Sequence, residues 1–546
     1  MGFSSSIIIA ESNDNTQDEH VSPGSELVPG APMIIDAPSE HPIPVTVGGT
    51  YNDPPPGPAT DPVPTGIKSV NDPTVYVFPK PLPSLPRKGI NEKSMSSQDA
   101  YQLIKSDLSM DANPEMHLGT YLTTEMDDEA LCLMNDSSGK NFMDYDVYPE
   151  THDIAERCKR MIATLFNAPG ADDATFEATG CSTIGSSEAI ILGILAMKMR
   201  WKKNRKDNNM DNTKPNIVFG QNAHICLHKA ARYLEIEPVI VPVNDTTLCL
   251  DAYDAVAHIN ENTIGVGITL GDMLTGKYED VEKLNQLIDA KMHEEGWDAE
   301  AKTKWSVGIH VDAATGGFVA PFVSETMPSK IAWDFKLRHV VSINVSGHKY
   351  GLTYPGLGWA LWRAKEYLPE DMIFYIDYLG IKQPTFNLNF SKSASQILAQ
   401  YYVFVRLGKE KMKDMILLLL QRAQDFACKM AYEGHFQVWS AGDVRYGAPI
   451  VSFSLKDDRG YDESKLSACL RQKGWIVPAY LKPNVAPDDT QKGTGRKLMR
   501  VIIRNDFSDN RADKLFQDIR QAVELLDKDP NLNTLANAVY SANVLC

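Results

Sequence analysis

Val340-Val341-Ser342-Ile343-Asn344-Val345-Ser346-Gly347-His348-Lys349 reads as a β-branched, buried strand that runs into a short turn and ends on a lysine. An ammonium at the carboxyl end of such a strand is costly to bury unpaired, whereas a neutral amine there is a nucleophile toward a carbonyl. The plain alternative is a strand-end lysine reaching solvent. A second stretch weighs against it. Val307-Gly308-Ile309-His310-Val311-Asp312-Ala313-Ala314-Thr315-Gly316-Gly317-Phe318 is another buried strand, this one ending in a carboxylate and followed by a glycine-rich turn.

A lysine and an aspartate on two strand ends suit an aldehyde cofactor with a pyridine ring, such as pyridoxal 5′-phosphate (PLP). The amine forms a Schiff base, and the carboxylate keeps the ring nitrogen protonated, making the ring an electron sink. Ala313 and Ala314 leave room for a flat ring. Gly185-Ser186-Ser187-Glu188, directly before the apolar helix predicted from Ala189 to Trp201, adds two hydroxyls and free backbone N–H groups at a positive helix terminus. Alone it would be a capping box; beside Asp312 and Lys349 it reads as a phosphate cradle.

These stretches, with Tyr148-Pro149-Glu150, Phe166-Asn167-Ala168-Pro169 and Asn389-Phe390-Ser391, resemble the group II PLP-dependent decarboxylases of fold type I, and glutamate decarboxylases most of all, from about Gly89 to Asp527. The resemblance implies an α/β fold with a mostly parallel sheet flanked by helices and a smaller C-terminal α+β domain. It implies that Lys349 carries the cofactor, that Asp312 faces the pyridine nitrogen with Ala314 beside the ring, and that Ser186, Ser187, Ser346 and His348 hold the phosphate. Ser391 is expected to reach the phosphate of a neighbouring subunit, so the active unit is expected to be a homodimer or larger. Arg500, in Met499-Arg500-Val501-Ile502-Ile503-Arg504, matches the arginine that grips the α-carboxylate; Arg504 reads as a solvent-facing arginine. Thr120 and Asp144 match positions that bind the distal carboxylate of glutamate. Tyr378 matches a loop tyrosine that returns a proton to Cα. The implied reaction is decarboxylation of L-glutamate to 4-aminobutanoate and carbon dioxide.

Three positions depart from the family pattern. His224 stands where bacterial and plant glutamate decarboxylases carry glutamine, although a histidine there stacks on the ring in other PLP decarboxylases. Met273 replaces a threonine and cannot donate a hydrogen bond. His117 replaces an asparagine. These keep open a decarboxylase or oxidase of another acidic amino acid, and a noncatalytic PLP-fold interaction protein is the reading from a different class.

Composition bounds the rest. At 546 residues and 43% hydrophobic content the chain buries a large core, and a net charge of −17 argues against nucleic-acid and anionic-membrane partners. Residues 1–88 hold 17 of the 33 prolines and no lysine or arginine before Lys68, which predicts a disordered arm. Residues 89–160 are expected to serve the dimer and the substrate site, 161–436 to form the large PLP-binding domain, and 437–546 the small domain. Eight cysteines without paired spacing, and no secretory or transit pattern, point to the cytoplasm. His224 and His228 lack further ligands, so no metal is expected. No apolar run spans a membrane, and the tail after Asp527 lacks the basic amphipathic helix a calmodulin partner needs.

Overall fold

The computed structural model describes residues 85–297, 305–323, 331–377, 382–483 and 497–532. The Pro-rich arm up to residue 84, Tyr378 and the C-terminal tail from residue 533 lie outside the described residues. From Pro86 onward the described residues form one compact unit.

Seven strands make the main sheet: β1 (Thr179–Thr183), β2 (Asn216–Gly220), β3 (Glu237–Val241), β4 (Thr263–Thr269), β5 (Gly308–Asp312), β6 (Val340–Ser346) and β7 (Gly358–Trp362). Their order is β1-β7-β6-β5-β4-β2-β3; β7 runs antiparallel to both neighbours, and the remaining pairs are parallel. Every residue of β2, β4, β5, β6 and β7 is buried, as expected of strands covered by helices on both faces. The two edge strands are the exceptions, β1 partly buried and β3 largely exposed, and it is in β3 that Pro238, which has no N–H for a ladder, is tolerated.

Polar residues cap the helices that follow β2, β3 and β4. The helices Ile225–Tyr233, Ala252–Ala257 and Val281–Glu294 start behind His224, Asp251 and Asp280, whose side chains each accept a first-turn N–H. Helix Ser186–Asp207 buries Ile190, Ile194, Met197 and Trp201 in the main core, and Ala189, Leu192 and Ala196 in a second cluster with Ala360 and Trp362 of β7. It is apolar on two sides because it is covered on two sides.

β8 (Phe374–Asp377) pairs with β9 (Lys382–Thr385). A second, four-stranded sheet follows the long helix Ser395–Tyr432, which turns at Gly408 (φ 60°, ψ −178°), a conformation essentially confined to glycine. That sheet has the antiparallel order β10-β11-β13-β12, from β10 (Phe436–Val438), β11 (Ile450–Leu455), β12 (Ala479–Leu481) and β13 (Lys497–Ile502). Helices Glu463–Gln472 and Asp509–Lys528 accompany it.

The segment 114–121 joins the two sheets. Leu118 N donates to Ile476 O at 3.0 Å, and Ile502 N donates to Leu118 O at 2.9 Å, so this early stretch lies against the end of β13. Gly119 to Tyr121 thereby reach Arg500, nearly four hundred residues away in sequence.

Candidate active site

The register sets Thr269, Asp312 and Asn344 side by side at the carboxyl ends of β4, β5 and β6, the end of a parallel sheet where α/β proteins take ligands. A cavity of about 620 Å³ opens there. Its walls include Lys349, His224, Ser186, Ser187, Asp312, Ala314, Ser346, His348, Thr120 and Arg500, ten positions expected from the sequence and drawn from segments far apart in the chain.

Lys349 Nζ donates to Thr315 Oγ1 at 3.0 Å and lies 4.6 Å from the centre of the Tyr121 ring. Burial pushes its pKa down to about 8; the Asp312 carboxylate opposes that shift and the Arg500 guanidinium adds to it. The amine is thus poised between charged and neutral near physiological pH, as a nucleophilic lysine requires.

Asp312 is buried, and its Oδ1 accepts from Ala314 N at 3.1 Å and from Asn344 Nδ2 at 2.8 Å. Behind it, Asn344 Oδ1 accepts from His310 Nε2 at 2.9 Å, and His310 Nδ1 accepts from Ser342 Oγ at 2.8 Å. Burial lowers the His310 pKa well below its usual value, which leaves the ring neutral; because Asn344 Nδ2 is committed to Asp312, its Oδ1 faces the ring as an acceptor, which puts the proton on Nε2. The chain Ser342, His310, Asn344 fixes the aspartate and leaves its other oxygen for a ligand.

The turn before helix Ser186–Asp207 brings two buried hydroxyls together, Ser186 Oγ and Ser346 Oγ, 2.7 Å apart. Ser187 Oγ lies 2.8 Å from Cys226 Sγ. His348 Nδ1 donates to Leu357 O at 3.1 Å, and its pKa is pushed down to about 4 by burial and then by Lys349, so the ring is neutral; an anion near Nε2 would favour its protonation. Gly358 of β7 lies directly beneath this turn. A Cβ there would stand 2.5 Å from Gly185 C and 2.7 Å from Ser186 N, so only glycine lets the strand approach the cradle.

Arg500 lies on β13, an inner strand, and is buried. Its Nη2 donates to Gly119 O at 2.6 Å and to Tyr480 Oη at 2.9 Å, its Nη1 donates to Met273 O, and its plane lies over the rings of Tyr480 (4.5 Å) and Tyr121 (5.1 Å). Its Nε has no hydrogen-bond partner among the described residues although it is buried, an unmet donor on a cavity-lining side chain. Met273 O also accepts from Tyr121 Oη at 2.7 Å. Asp272 Oδ1 holds the same turn by accepting from Leu274 N and Thr275 N.

Arg504 corrects the sequence reading. It is buried rather than solvent-facing, pairs through Nε and Nη2 with Asp506, and donates to the carbonyls of His117 and Thr120. It therefore staples the segment that carries Thr120 to the end of the second sheet. His224 caps its helix through Nδ1, accepting from Cys226 N at 3.3 Å, while its ring lines the cavity; burial lowers its pKa, leaving it neutral.

Two expected residues do not reach this cavity from their own chain. Ser391 is exposed, and Asn389 of the same loop lines the wall instead. Asp144 sits near the Asn141 and Phe142 turn with a buried Oδ1 that has no hydrogen-bond partner among the described residues. Thr120, by contrast, lines the cavity of its own chain, and no subunit boundary is needed to bring it there. Tyr121, Thr315 and Tyr480 are site residues that the sequence reading missed.

The profile of the pyridoxal-dependent decarboxylase conserved domain matches residues 82–456, and the chain belongs to that family. It is a PLP-dependent amino-acid decarboxylase, with PLP as its cofactor. Among its relatives, a glutamate decarboxylase of Petunia hybrida is 44% identical over 447 residues, 82% of this chain and 85% of that protein. One of Aliivibrio fischeri is 38% identical over 449 residues, 82% of this chain and 91% of that protein. The solved glutamate decarboxylase of Lactobacillus brevis superimposes with a TM-score of 0.73 at 35% identity, covering 82% of this chain and 96% of that one. Among the described residues no helix is long and apolar enough to cross a membrane.

Proposed function

We propose that this enzyme removes the α-carboxyl group of L-glutamate as carbon dioxide and releases 4-aminobutanoate. The observation that carries the reading is the meeting of the Lys349 amine, the buried Asp312 carboxylate and the Arg500 guanidinium on one cavity beside a paired-hydroxyl turn. The identities with glutamate decarboxylases support the choice of substrate.

The residues divide the work. Lys349 attaches the cofactor, and Asp312, held by Asn344 and Ala314 N, keeps a proton at the pyridine nitrogen. Ser186, Ser187, Ser346 and His348 take the phosphate, with the amides of the helix terminus. Ala314 and His224, which line the cavity, would flank the ring. The chemistry PLP would supply when bound is an electron sink for the bond that breaks. Arg500 binds the α-carboxylate and orients the bond to be broken. Thr120 donates to the distal carboxylate, and Tyr378 returns a proton to Cα. The exposed Ser391 and the unsatisfied Asp144 serve the neighbouring subunit of a homodimer in this reading. The cytoplasm is the proposed compartment, in keeping with the buried, unpaired thiols of Cys158, Cys226 and Cys249.

Met273 favours one further reading, preference for a different acidic amino acid, because this cavity-lining residue has a thioether side chain, which cannot donate the hydrogen bond a threonine would. A panel of amino acids tests both while carbon dioxide, amine and peroxide are followed. Glutamate yielding equimolar 4-aminobutanoate is the expected result; preference for another acid, or peroxide with an aldehyde, overturns it. Met273→Thr raises glutamate turnover if the missing hydroxyl limits the reaction and lowers it if methionine shapes the pocket for something else.

A further inference from the structure

Glu188 is buried three residues into the cradle helix, and both of its oxygens are committed to backbone. Oε2 accepts from Ile184 N at 2.9 Å, reaching past the N-cap residue Gly185 to the strand-to-helix turn. Oε1 accepts from Leu388 N at 3.0 Å, in the loop 386–392, two hundred residues later in the chain. That loop carries the cavity-lining Asn389 and the exposed Ser391. It is held to β1 by Asn387 Nδ2, which donates to Ser182 O at 2.8 Å, and by Lys392 Nζ, which donates to Ser182 Oγ at 3.0 Å. Lys392 O in turn accepts from Phe142 N at 2.9 Å, two residues before Asp144.

We propose that Glu188 is a positioning residue that couples the phosphate-binding turn of its own chain to the loop 386–392. An ordinary capping glutamate would satisfy its own helix terminus with one oxygen and leave the other to solvent. Here the second oxygen is buried and receives an amide from another segment, so movement of the turn and movement of the loop are tied through one carboxylate. Leu388 itself does not line the cavity and is 53% exposed; what matters is its amide. The inference rests on reading Ser186 and Ser187 as phosphate ligands.

The test uses the full chain with Glu188→Gln, Leu388→Pro and the double variant, with PLP affinity measured by titrating the apoenzyme and backbone amide exchange measured without cofactor. Glutamine keeps the volume but has one acceptor oxygen, so one amide loses its partner; proline removes the loop amide and leaves Glu188 intact. Each single variant is expected to bind PLP about tenfold more weakly, the scale of one buried polar group left without its partner, a backbone amide in Glu188→Gln and a carboxylate oxygen in Leu388→Pro. The double variant is expected to be no weaker than the worse single, since both break one link. In apo Glu188→Gln, peptides covering 184–187 and 386–391 exchange faster while β4, β5 and β6 are unchanged. Additive losses, unchanged PLP affinity in Leu388→Pro, acceleration of the turn alone, or acceleration throughout the core would each overturn the coupling. If the unaltered protein fails to take up PLP, the cofactor reading falls, and the paired exchange response still decides whether Glu188 links the two segments.

Discussion

Lys349 should react as a lysine with a pKa near 8, and the structure fixes both the size and the sign of the effect. At pH 7 about one Lys349 in ten carries a neutral amine, against about one in 3,000 for an unperturbed lysine, a gain of about 300-fold in nucleophile. The apoenzyme, treated with a limiting amine-acylating reagent across a pH series and mapped by mass spectrometry, reports this for each lysine separately. Modification of Lys349 is expected to rise tenfold per pH unit and level off above about pH 8, while exposed lysines go on rising for roughly two units more. The charged neighbours set the direction of two controls. Asp312 raises the Lys349 pKa, so Asp312→Asn moves the plateau to lower pH; Arg500 lowers it, so Arg500→Gln moves the plateau to higher pH. A Lys349 profile that coincides with the exposed lysines, or shifts of the opposite sign in the two variants, refutes the electrostatic argument.

Gly358→Ala places a methyl group against Gly185 and Ser186, an overlap that costs roughly 1–3 kcal/mol if the cradle turn moves to accept it; PLP affinity should fall about tenfold or more in a titration, and an unchanged affinity would mean the turn is not held by β7. Arg504→Gln takes from Asp506 its two-bonded guanidinium, leaving Thr124 Oγ1 and the more distant Arg511, and should lower stability by roughly 2 kcal/mol in chemical denaturation, with glutamate KM rising as the Thr120 segment loosens; wild-type stability would contradict the staple. A mixture of Lys349→Ala and Ser391→Ala chains should regain activity that neither has alone, since one site of a mixed dimer keeps both residues; no recovery, or a fully active monomer by light scattering, rules out a shared site.

What could be read from the sequence followed from local signals. Strands β4, β5 and β6 announce themselves as continuous β-branched and apolar runs, and their last residues therefore mark where a ligand sits. The cradle was legible because a glycine and two serines precede an apolar helix. Other features depend on long-range contacts that no window of sequence contains. Tyr121 stands next to Thr120, yet its place between Lys349 and Arg500 exists only because segment 114–121 packs on β13. Arg504 looks like one more strand residue, but β13 ends at Ile502, and the side chain turns inward to Asp506 and the Thr120 carbonyl. Thr315 was within reach: it follows Asp312 in the same glycine-rich turn, and a hydroxyl there had no other evident task.

The central claim is that Lys349 is the residue that holds the cofactor for the whole reaction. Reduction of the PLP-loaded protein with borohydride, followed by peptide mapping, tests it most directly. The cofactor is predicted to be fixed to the single peptide containing Lys349, with no incorporation in Lys349→Ala; a label on any other lysine, or none in the unaltered protein, would contradict the account.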